Sequence, residues 1–277
     1  MTPRLVLITG ANRGIGREIA LRMAGEGFQV VMACRNVSKA LLVRDDIRAR
    51  TGNALVDVLP LDLSSLASVR MFADTFRSTY RRLNMLINNA GILAFSKGCT
   101  SDGFEQTVGV NYLGPFLLTS LLLPLFPTGE DNRIINLTSM VWPLGTFDIE
   151  RFLAYKGLKA YAVSKYAILL WTMYMADKLA VRDITVQAVH PGVVRTGIFS
   201  QRKWYDVLIN TVMRPFLLSV EQGALPVLKL ALEPQGIEKT ARYFKGFKEQ
   251  SLQAADVPPA LIKVLMQRSA DWVNTRM

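Results

Sequence analysis

Residues that build metal sites and disulfide frameworks are scarce in this sequence of 277 residues. It contains two cysteines, Cys34 and Cys99, and one histidine, His190. The cysteines have neither the number nor the spacing of a zinc site, and a single histidine excludes a histidine-rich one. We therefore predict reduced thiols and a functional site without a metal.

Long apolar runs are missing as well, although apolar residues make up 50% of the chain and the mean hydropathy is +0.22. The most apolar stretches, residues 116–126 and 167–176, are shorter than the ~18 residues that suggest a membrane span. The first strand-like run begins at residue 4, with no signal-peptide pattern before it. These features predict a cytoplasmic protein.

Acidic residues are outnumbered, with 22 Asp and Glu against 33 Lys and Arg, which gives a net charge of +11. The basic residues are scattered over several segments with acids among them, and no nucleic-acid-binding motif is present. A solvated basic surface explains this pattern, and we predict no nucleic-acid partner. Attraction to anionic lipid headgroups is the functional alternative, which would place the protein peripherally at a membrane surface.

A glycine-rich turn follows the first strand-like run, residues 4–9. Apolar residues at positions 19, 20, 23 and 24 then have helical spacing. Glycines allow a tight turn and a close approach of the backbone to a diphosphate, which the free N–H groups of a helix start attract. The spacing alone is weak evidence, since an ordinary turn can look the same. The candidate cofactor-binding residues here are Gly10, Asn12, Arg13, Gly14, Ile15 and Gly16.

Strand-like and helical patterns alternate along the rest of the chain. Further strands are predicted at 28–34, 55–61, 85–88, 133–138, 184–189 and 241–244, and helices near 37–50, 65–81, 104–126, 158–181 and 219–232. This alternation predicts an α/β fold, a doubly wound parallel sheet of Rossmann type with about seven strands and helices on both faces. No linker interrupts it, so we expect a single domain over residues 1–277.

Tyr161 and Lys165 are four residues apart in a predicted helix, which places them on one face. A free tyrosine has a pKa near ~10, too high for acid–base catalysis at neutral pH. A neighbouring lysine ammonium favours the phenolate, so we expect Lys165 to lower the pKa of Tyr161. The pair is a weak signal on its own, because many helices contain it.

Taken together, the motifs resemble those of the short-chain dehydrogenases/reductases over nearly the whole chain. In order they are Thr9-Gly10-x-x-x-Gly14-x-Gly16, Asn88-Asn89-Ala90-Gly91, Asn111, Ser139, Tyr161-x-x-x-Lys165 and Pro191-Gly192. More narrowly, Ala33-Cys34-Arg35, Leu61-Asp62-Leu63-Ser64-Ser65 and the segment 190–196 resemble the retinol-dehydrogenase-like branch.

The resemblance implies a catalytic set of four residues. Tyr161 acts as the acid or base, and Lys165 both assists it and binds the nicotinamide ribose. Ser139 polarises the reacting oxygen, and Asn111 supports a proton relay through water. Thr138 is the rival hydroxyl to Ser139, since neighbouring strand residues face opposite sides, and the family pattern selects Ser139. The stretch before Tyr161, around 142–159, is longer than in compact members and resembles an insertion of that branch.

Two arginines indicate the cofactor. Arg13 lies in the glycine turn and Arg35 just after the second strand, where an NAD enzyme tends to present an acid to the ribose 2′-hydroxyl. Arginines there suit a 2′-phosphate, so we predict NADP(H), with surface arginines as the alternative. The resemblance adds Asp62 at the adenine, with an ordinary turn aspartate as the alternative. The resemblance also implies ten further cofactor-binding residues: Leu63, Asn89, Ala90, Gly91, Tyr161, Lys165, Pro191, Gly192, Val194 and Thr196.

Two residues depart from the pattern or invite another interpretation. Pro115 follows Asn111 by one turn and predicts a kink or a helix start there, which affects the placement of Asn111. His190, the only histidine, could be a catalytic base, but we favour a structural role at a strand end.

A segment rich in large apolar residues, about 199–218, is the predicted substrate lid. It favours a lipophilic small-molecule substrate or a membrane-facing patch, with a helix merely packed on the domain as the alternative. The prediction is therefore an NADPH-dependent interconversion of carbonyl and alcohol on a retinal, steroid or lipid aldehyde. A C=C reductase like the light-dependent protochlorophyllide reductases and a non-catalytic NADP sensor are the alternatives. The resemblance also implies a homodimer, paired through the helices around 112–126 and 160–180, with a monomer as the alternative.

Overall fold

One eight-stranded sheet organises the computed structural model, which describes residues 3–94, 98–144, 148–194, 217–234 and 240–274. The strand order is β3-β2-β1-β4-β5-β6-β7-β8. All neighbouring pairs are parallel except β7 and β8. The strands are β1 Leu5–Thr9, β2 Gln29–Cys34, β3 Val56–Pro60, β4 Met85–Asn88, β5 Asn132–Leu137, β6 Ile184–His190, β7 Arg242–Lys245 and β8 Lys248–Gln250. The doubly wound sheet is confirmed, with the short β8 added to the seven predicted strands.

Helices cover both faces of this sheet. Their bounds are α1 Gly14–Gly25, α2 Val37–Thr51, α3 Leu66–Thr79, α4 Gln106–Val108, α5 Gly114–Leu122, α6 Gly157–Leu179, α7 Val220–Leu232 and α8 Pro259–Trp272. A π-helical turn, Gly109–Leu113, joins α4 to α5, and four short 3-10 helices lie at Leu123–Leu125, Trp142–Leu144, Ile149–Ala154 and Ala180–Arg182.

The central strands are buried along their whole length because helices pack on both sides. In β1, Leu5 and Leu7 join the apolar layer under α3, α5 and α6, whereas Val6 and Ile8 join the layer under α1, α2 and α7. This explains why the strands read as continuous apolar runs rather than as alternating patterns.

The predicted helix over 104–126 is present as a continuous helical stretch, Gln106–Leu125, in which a π-helical turn separates α4 from α5. Pro115 lies in the first turn of α5, directly after the π-helical turn, and the residues before it are already helical. Its missing N–H removes one hydrogen bond to the preceding turn, and the helical geometry changes from π to α at this point. The proline thus coincides with a change of geometry within the helical stretch. By length and composition the stretch Gln106–Leu125 could cross a bilayer, but 72% of its most apolar window is buried inside the fold. That is weak evidence for a membrane span, because core helices have the same composition.

The C-terminal helix α8 was not predicted. It packs against α6, one of the helices through which dimerisation is expected, and Ser269 forms a buried hydrogen bond of 2.8 Å with the Tyr112 hydroxyl. Trp272 stacks on Phe152 with ring centroids 5.5 Å apart. Apolar residues at helical spacing, Leu261, Ile262, Leu265 and Met266, were the available signal.

Candidate active site

The turn after β1 is shaped by glycine. Gly10 and Gly14 have φ angles of 69° and 54°, in the left-handed region that side chains disfavour. A Cβ on Gly16 would lie 2.6 Å from the Gly10 carbonyl oxygen and 2.4 Å from Asn89 Nδ2. Arg13, the N-cap of α1, makes no side-chain capping bond, and the first turn contains no acid. The start of α1 is therefore suited to an anion such as a diphosphate.

The stretch after β4 is hydrogen-bonded to this turn. Thr9 Oγ1 accepts from the backbone N–H groups of Asn89 and Ala90, both at 3.0 Å. Asn89 Nδ2 donates to the Thr9 carbonyl oxygen at 2.8 Å. A Cβ on Gly10 would be 3.1 Å from Ala90 Cβ, so the two loops are in close contact. The structure thus brings together two predicted cofactor-binding segments that are far apart in sequence.

Arg13 and Arg35 lie on neighbouring loops and are both exposed. The Gly10 N–H donates to the Ala33 carbonyl oxygen at 2.8 Å, which joins the two loops. Within the described ranges, neither guanidinium forms an ion pair with an acid.

Burial raises the pKa of Cys34, the residue before Arg35, to about 11, although its sulfur accepts hydrogen bonds from the backbone of Ala11 and Asn12. Cys34 is therefore an unreactive thiol that supports the turn.

Asp62 lies at the end of β3, as predicted, and its carboxylate is held by the local turn. Asp62 Oδ1 accepts from the Ser64 backbone N–H at 2.9 Å and from Ser64 Oγ at 2.6 Å. The following residue, Leu63, is buried. This turn holds the carboxylate at the carboxyl edge of the sheet. The role of Asp62 at the adenine stays a prediction.

Lys165, on α6, is fully buried and donates from Nζ to the Leu137 carbonyl oxygen at 2.9 Å. Burial lowers the pKa of Lys165 to about 8, because the protein interior disfavours the charged ammonium. A Cβ on Gly91 would lie 3.5 Å from Lys165 Nζ and 3.4 Å from Asn111 Oδ1. Gly91 therefore leaves space beside the two polar groups.

Tyr161 lies one helical turn before Lys165, whose Nζ is 5.7 Å from the centre of the tyrosine ring. Burial raises the pKa of Tyr161, and a hydrogen bond with the Ser139 side chain offsets only part of this. The expected lowering of this pKa by Lys165 is therefore wrong for the structure described. Desolvation of the phenolate is the largest cause of the raised pKa, and Lys165 directs its ammonium to the Leu137 carbonyl oxygen.

The two hydroxyls after β5 have different partners. Ser139 bonds to Tyr161, whereas Thr138 Oγ1 donates to the Lys165 backbone carbonyl oxygen at 2.9 Å. Of the two, Ser139 is therefore the one placed beside the tyrosine, as predicted.

Asn111 lies in the π-helical turn with its side-chain amide fully bonded. Oδ1 accepts from the Ile92 N–H at 2.8 Å, and Nδ2 donates to the Ile92 carbonyl oxygen at 2.9 Å and to Ser164 Oγ at 3.1 Å. Ser164 Oγ in turn donates to the Tyr161 carbonyl oxygen at 2.8 Å. Sequence reasoning missed Ser164, although its position next to Lys165 was a usable signal.

His190 ends β6, and burial, with help from Lys245 and Lys165, lowers its pKa to about 4. It is neutral at physiological pH, in agreement with a structural role. In the turn that follows it, Pro191 is buried and Gly192 has a φ of 97°. Val194 forms a parallel bridge with Leu218. Thr196 and nearly all of the predicted lid, 199–218, lie outside the described residues.

Together these residues lie at the carboxyl edge of the sheet. A phenol, a hydroxyl and a buried ammonium lie next to a glycine turn with an open helix N-terminus. This set can hold a dinucleotide and transfer a proton to or from an oxygen.

Comparison with known proteins agrees with this geometry. The family model described as short chain dehydrogenase matches residues 4–205. Mouse retinol dehydrogenase 12 is 40% identical over 248 residues, which are 88% of this chain and 78% of that protein. Human retinol dehydrogenase 13 is 37% identical over 257 residues, 90% of this chain and 78% of that protein.

Solved structures are similar as well. An uncharacterised protein from Mycobacterium paratuberculosis is 30% identical with a TM-score of 0.78, covering 99% of this chain and 94% of that one. A short chain dehydrogenase from Burkholderia cenocepacia in complex with NADP is 25% identical with a TM-score of 0.71, covering 87% and 95%. The chain therefore belongs to the short chain dehydrogenase family, in its retinol-dehydrogenase-like branch, and is an oxidoreductase that uses a nicotinamide cofactor.

Proposed function

We propose that this protein interconverts a carbonyl and an alcohol on a lipophilic small molecule of the retinal, steroid or lipid-aldehyde type, with NADP(H) as cofactor. The observation that carries the proposal is the placement of Tyr161 beside Ser139 and the buried Lys165, whose Nζ is 5.7 Å from the centre of the tyrosine ring. These groups converge on one place where a substrate oxygen can accept two hydrogen bonds.

Tyr161 and Ser139 perform the proton chemistry at the substrate oxygen. Because burial raises its pKa, Tyr161 is protonated at neutral pH and is a proton donor. It protonates the carbonyl oxygen during reduction, while Ser139 donates a second hydrogen bond and Asn111, held by Ile92 and Ser164, supports proton return through water. When bound, NADPH supplies the hydride to the carbonyl carbon.

The preference for NADP(H) rests on Arg13 and Arg35. They lie exposed on adjoining loops with no acid paired to them among the described residues, and a 2′-phosphate needs such cations. Related structures in complex with NADP and NADPH support the same choice. The residues of the glycine turn and of Asn89–Gly91 would hold the diphosphate and the adenine ribose.

The lipophilic substrate is supported by exposed apolar side chains close in sequence to the catalytic residues. Met140 follows Ser139, and Leu158 precedes Tyr161 by three residues, with 45% and 51% of their surfaces exposed. Leu144, at 69%, lies between them in the chain. Lys156 and Lys159 are exposed in the same stretch. Such a surface suits a hydrophobic molecule and a peripheral position of the cytoplasmic protein at an anionic membrane.

Cofactor preference is tested by titrating NADPH and NADH while tryptophan fluorescence is recorded. The double variant Arg13→Ala/Arg35→Ala should weaken NADPH binding by roughly 10- to 100-fold, since a charge-assisted hydrogen bond contributes about 1.5–3 kcal/mol. NADH binding should change little. Arg17→Ala is the matched control, because Arg17 is exposed near the same turn but pairs with Asp46 at 2.8 Å. Equal NADPH affinity in double variant and wild type would contradict the assignment.

Turnover is tested with all-trans-retinal, a long-chain aldehyde and a steroid ketone, followed by loss of NADPH absorbance. Tyr161→Phe should abolish it. Tyr166→Phe, the same change one turn on, should not, because the Tyr166 hydroxyl donates to the Asp256 carbonyl oxygen away from the site. NADPH binding without turnover on any carbonyl would favour the C=C reductase or the sensor instead.

A further inference from the structure

Three consecutive residues at the end of β5 each bind the catalytic turn of α6. The Leu137 carbonyl oxygen accepts from Lys165 Nζ at 2.9 Å. Thr138 Oγ1 donates to the Lys165 backbone carbonyl oxygen, also at 2.9 Å. Ser139 then hydrogen-bonds to Tyr161. Of these three contacts, the one made by Thr138 has no chemical role in the proposed reaction.

The Thr138 hydroxyl is held on a rigid part of the fold. The Thr138 N–H donates to the Val189 carbonyl oxygen at 2.9 Å, so the pairing of β5 with β6 fixes its backbone. The side chain is 4% exposed, and Lys165, also 4% exposed, lies in the interior of α6. A carbonyl in that position already accepts a hydrogen bond from the helix itself. The bond from Thr138 is therefore additional, and the helix does not need it to satisfy its backbone.

We propose that Thr138 is a positioning residue, whose hydroxyl sets the location of α6 relative to β5 so that Lys165 Nζ and the Tyr161 hydroxyl reach their working places. This inference rests on the proposed carbonyl reduction. Without the hydroxyl, α6 loses its backbone attachment to β5 at the turn that carries both groups. A displacement of about 1 Å in a catalytic group can cost up to ~100-fold in rate.

Two substitutions separate the hydroxyl from the shape of the side chain. Thr138→Val keeps the volume and the branched Cβ but removes the donor. Thr138→Ser keeps the donor and removes one methyl group. Since Lys165 retains its helical hydrogen bond, Thr138→Val leaves no buried backbone group without a partner, and a small change in thermal stability is expected.

Thr172 provides a matched control on the same helix. It is also fully buried, and its Oγ1 accepts from Asn136 Nδ2 of β5 at 3.0 Å, two turns beyond Lys165. Thr172→Val makes the same chemical change and also removes a hydrogen bond between β5 and α6. It leaves the buried Asn136 amide without this acceptor, so its effect on stability should exceed that of Thr138→Val.

The experiment measures kcat, KM and Tm of the wild type and the three variants, with NADPH and the carbonyl that the wild type reduces. Thr138→Val should lower kcat about tenfold with KM within twofold, whereas Thr138→Ser should stay within twofold of wild type. Thr172→Val should lower Tm most while kcat remains within twofold. A general loosening of α6 would instead lower kcat in both valine variants.

Three results would overturn the inference: unchanged kcat in Thr138→Val, equal losses in the serine and valine variants, or an equal loss in Thr172→Val. Crystal structures provide a readout independent of turnover. The distance from Lys165 Nζ to the Leu137 carbonyl oxygen should lengthen in Thr138→Val only, and an unchanged distance would count against the proposal. A wild type that reduces no carbonyl would refute the proposed function, while this distance would still test the role of Thr138.

Discussion

Two buried cations lie near opposite ends of the strands, and their charges are balanced to different degrees. Arg133, at the start of β5, is 1% exposed and fully bonded. Its Nε donates to Asp131 Oδ1 at 2.8 Å and its second terminal nitrogen to Asp131 Oδ2. Its remaining nitrogen donates to the carbonyl oxygens of Leu230 and Ala231, at 2.7 and 2.8 Å, in the last turn of α7. A carboxylate and a helix C-terminus thus balance this charge.

Lys165, at the carboxyl edge, is buried as deeply and has only the Leu137 carbonyl oxygen as a hydrogen-bond acceptor among the described residues. No carboxylate pairs with it in those ranges, and its pKa falls to about 8. An unbalanced buried charge weakens the fold and persists where function requires it. The comparison therefore teaches that Arg133 holds the sheet and α7 together, whereas Lys165 is kept available for a ligand.

The largest expected effect is the loss of activity on replacing the unbalanced cation. Lys165→Met should lower kcat by ~1000-fold, since acid–base assistance contributes 10²- to 10⁴-fold. The Tm should stay equal or rise, because an apolar side chain replaces a buried ammonium without a carboxylate. Steady-state kinetics and thermal unfolding measure both. A large fall in Tm would show that Lys165 is structural.

Replacing Arg133, the balanced cation, should lower the stability and leave kcat unchanged. Arg133→Met should lower the free energy of unfolding by about 3 kcal/mol, at the low end for a broken buried pair because Asp131 is partly exposed and keeps Arg4. Urea unfolding measures this change. The kcat of the folded fraction should match wild type, and a parallel loss of kcat would contradict the separation of the two edges.

The pH dependence sharpens the contrast further. Since the pKa of Lys165 is about 8, the reduction should slow as pH rises through this value, by roughly fivefold between pH 8 and 9 for loss of one proton. Stability should change in the opposite direction. Between about pH 8 and the unfolded-state pKa near ~10.4, the unfolded chain binds the proton that the folded chain has lost, so unfolding becomes less favourable as pH rises.

The control for this pH effect is Lys165→Met, which cannot titrate at this position. The stability of the wild type relative to this variant should increase over the same pH range, as measured by urea unfolding at each pH. A constant difference would show that the pKa of Lys165 is ordinary.

The smallest effect is expected for Arg4, the partly exposed partner of the same carboxylate. Arg4 also pairs with Asp131, at 3.2 Å, but 34% of its side chain is exposed. Arg4→Ala should cost less than about 1 kcal/mol, as for other solvent-exposed ion pairs. Urea unfolding beside Arg133→Met measures the difference. Equal losses in the two variants would show that burial does not decide the strength of these pairs.

Local patterns in the sequence were enough for much of the fold and of the candidate site. The strands from β1 to β7, the glycine turn and the shared face of Tyr161 and Lys165 depend on neighbours within a few residues. The change of helical geometry near Pro115 could be expected from its one missing N–H. The short β8 has too few residues for a periodic pattern, and the π-helical turn depends on packing around Tyr112 against α8 and Trp171.

The sequence by itself determined the order of the elements and the chemical groups at the carboxyl edge, because both follow from residue type and short-range spacing. Only the tertiary structure decided how those groups behave. The pKa of Tyr161 is raised and that of Lys165 lowered because burial sums contributions from the whole fold. The hydrogen bonds of Lys165 with Leu137 and Thr138, and of Asn111 with Ser164, form only where β5 and the π-helical turn pack against α6. Desolvation and long-range hydrogen bonds have no local signature in the sequence.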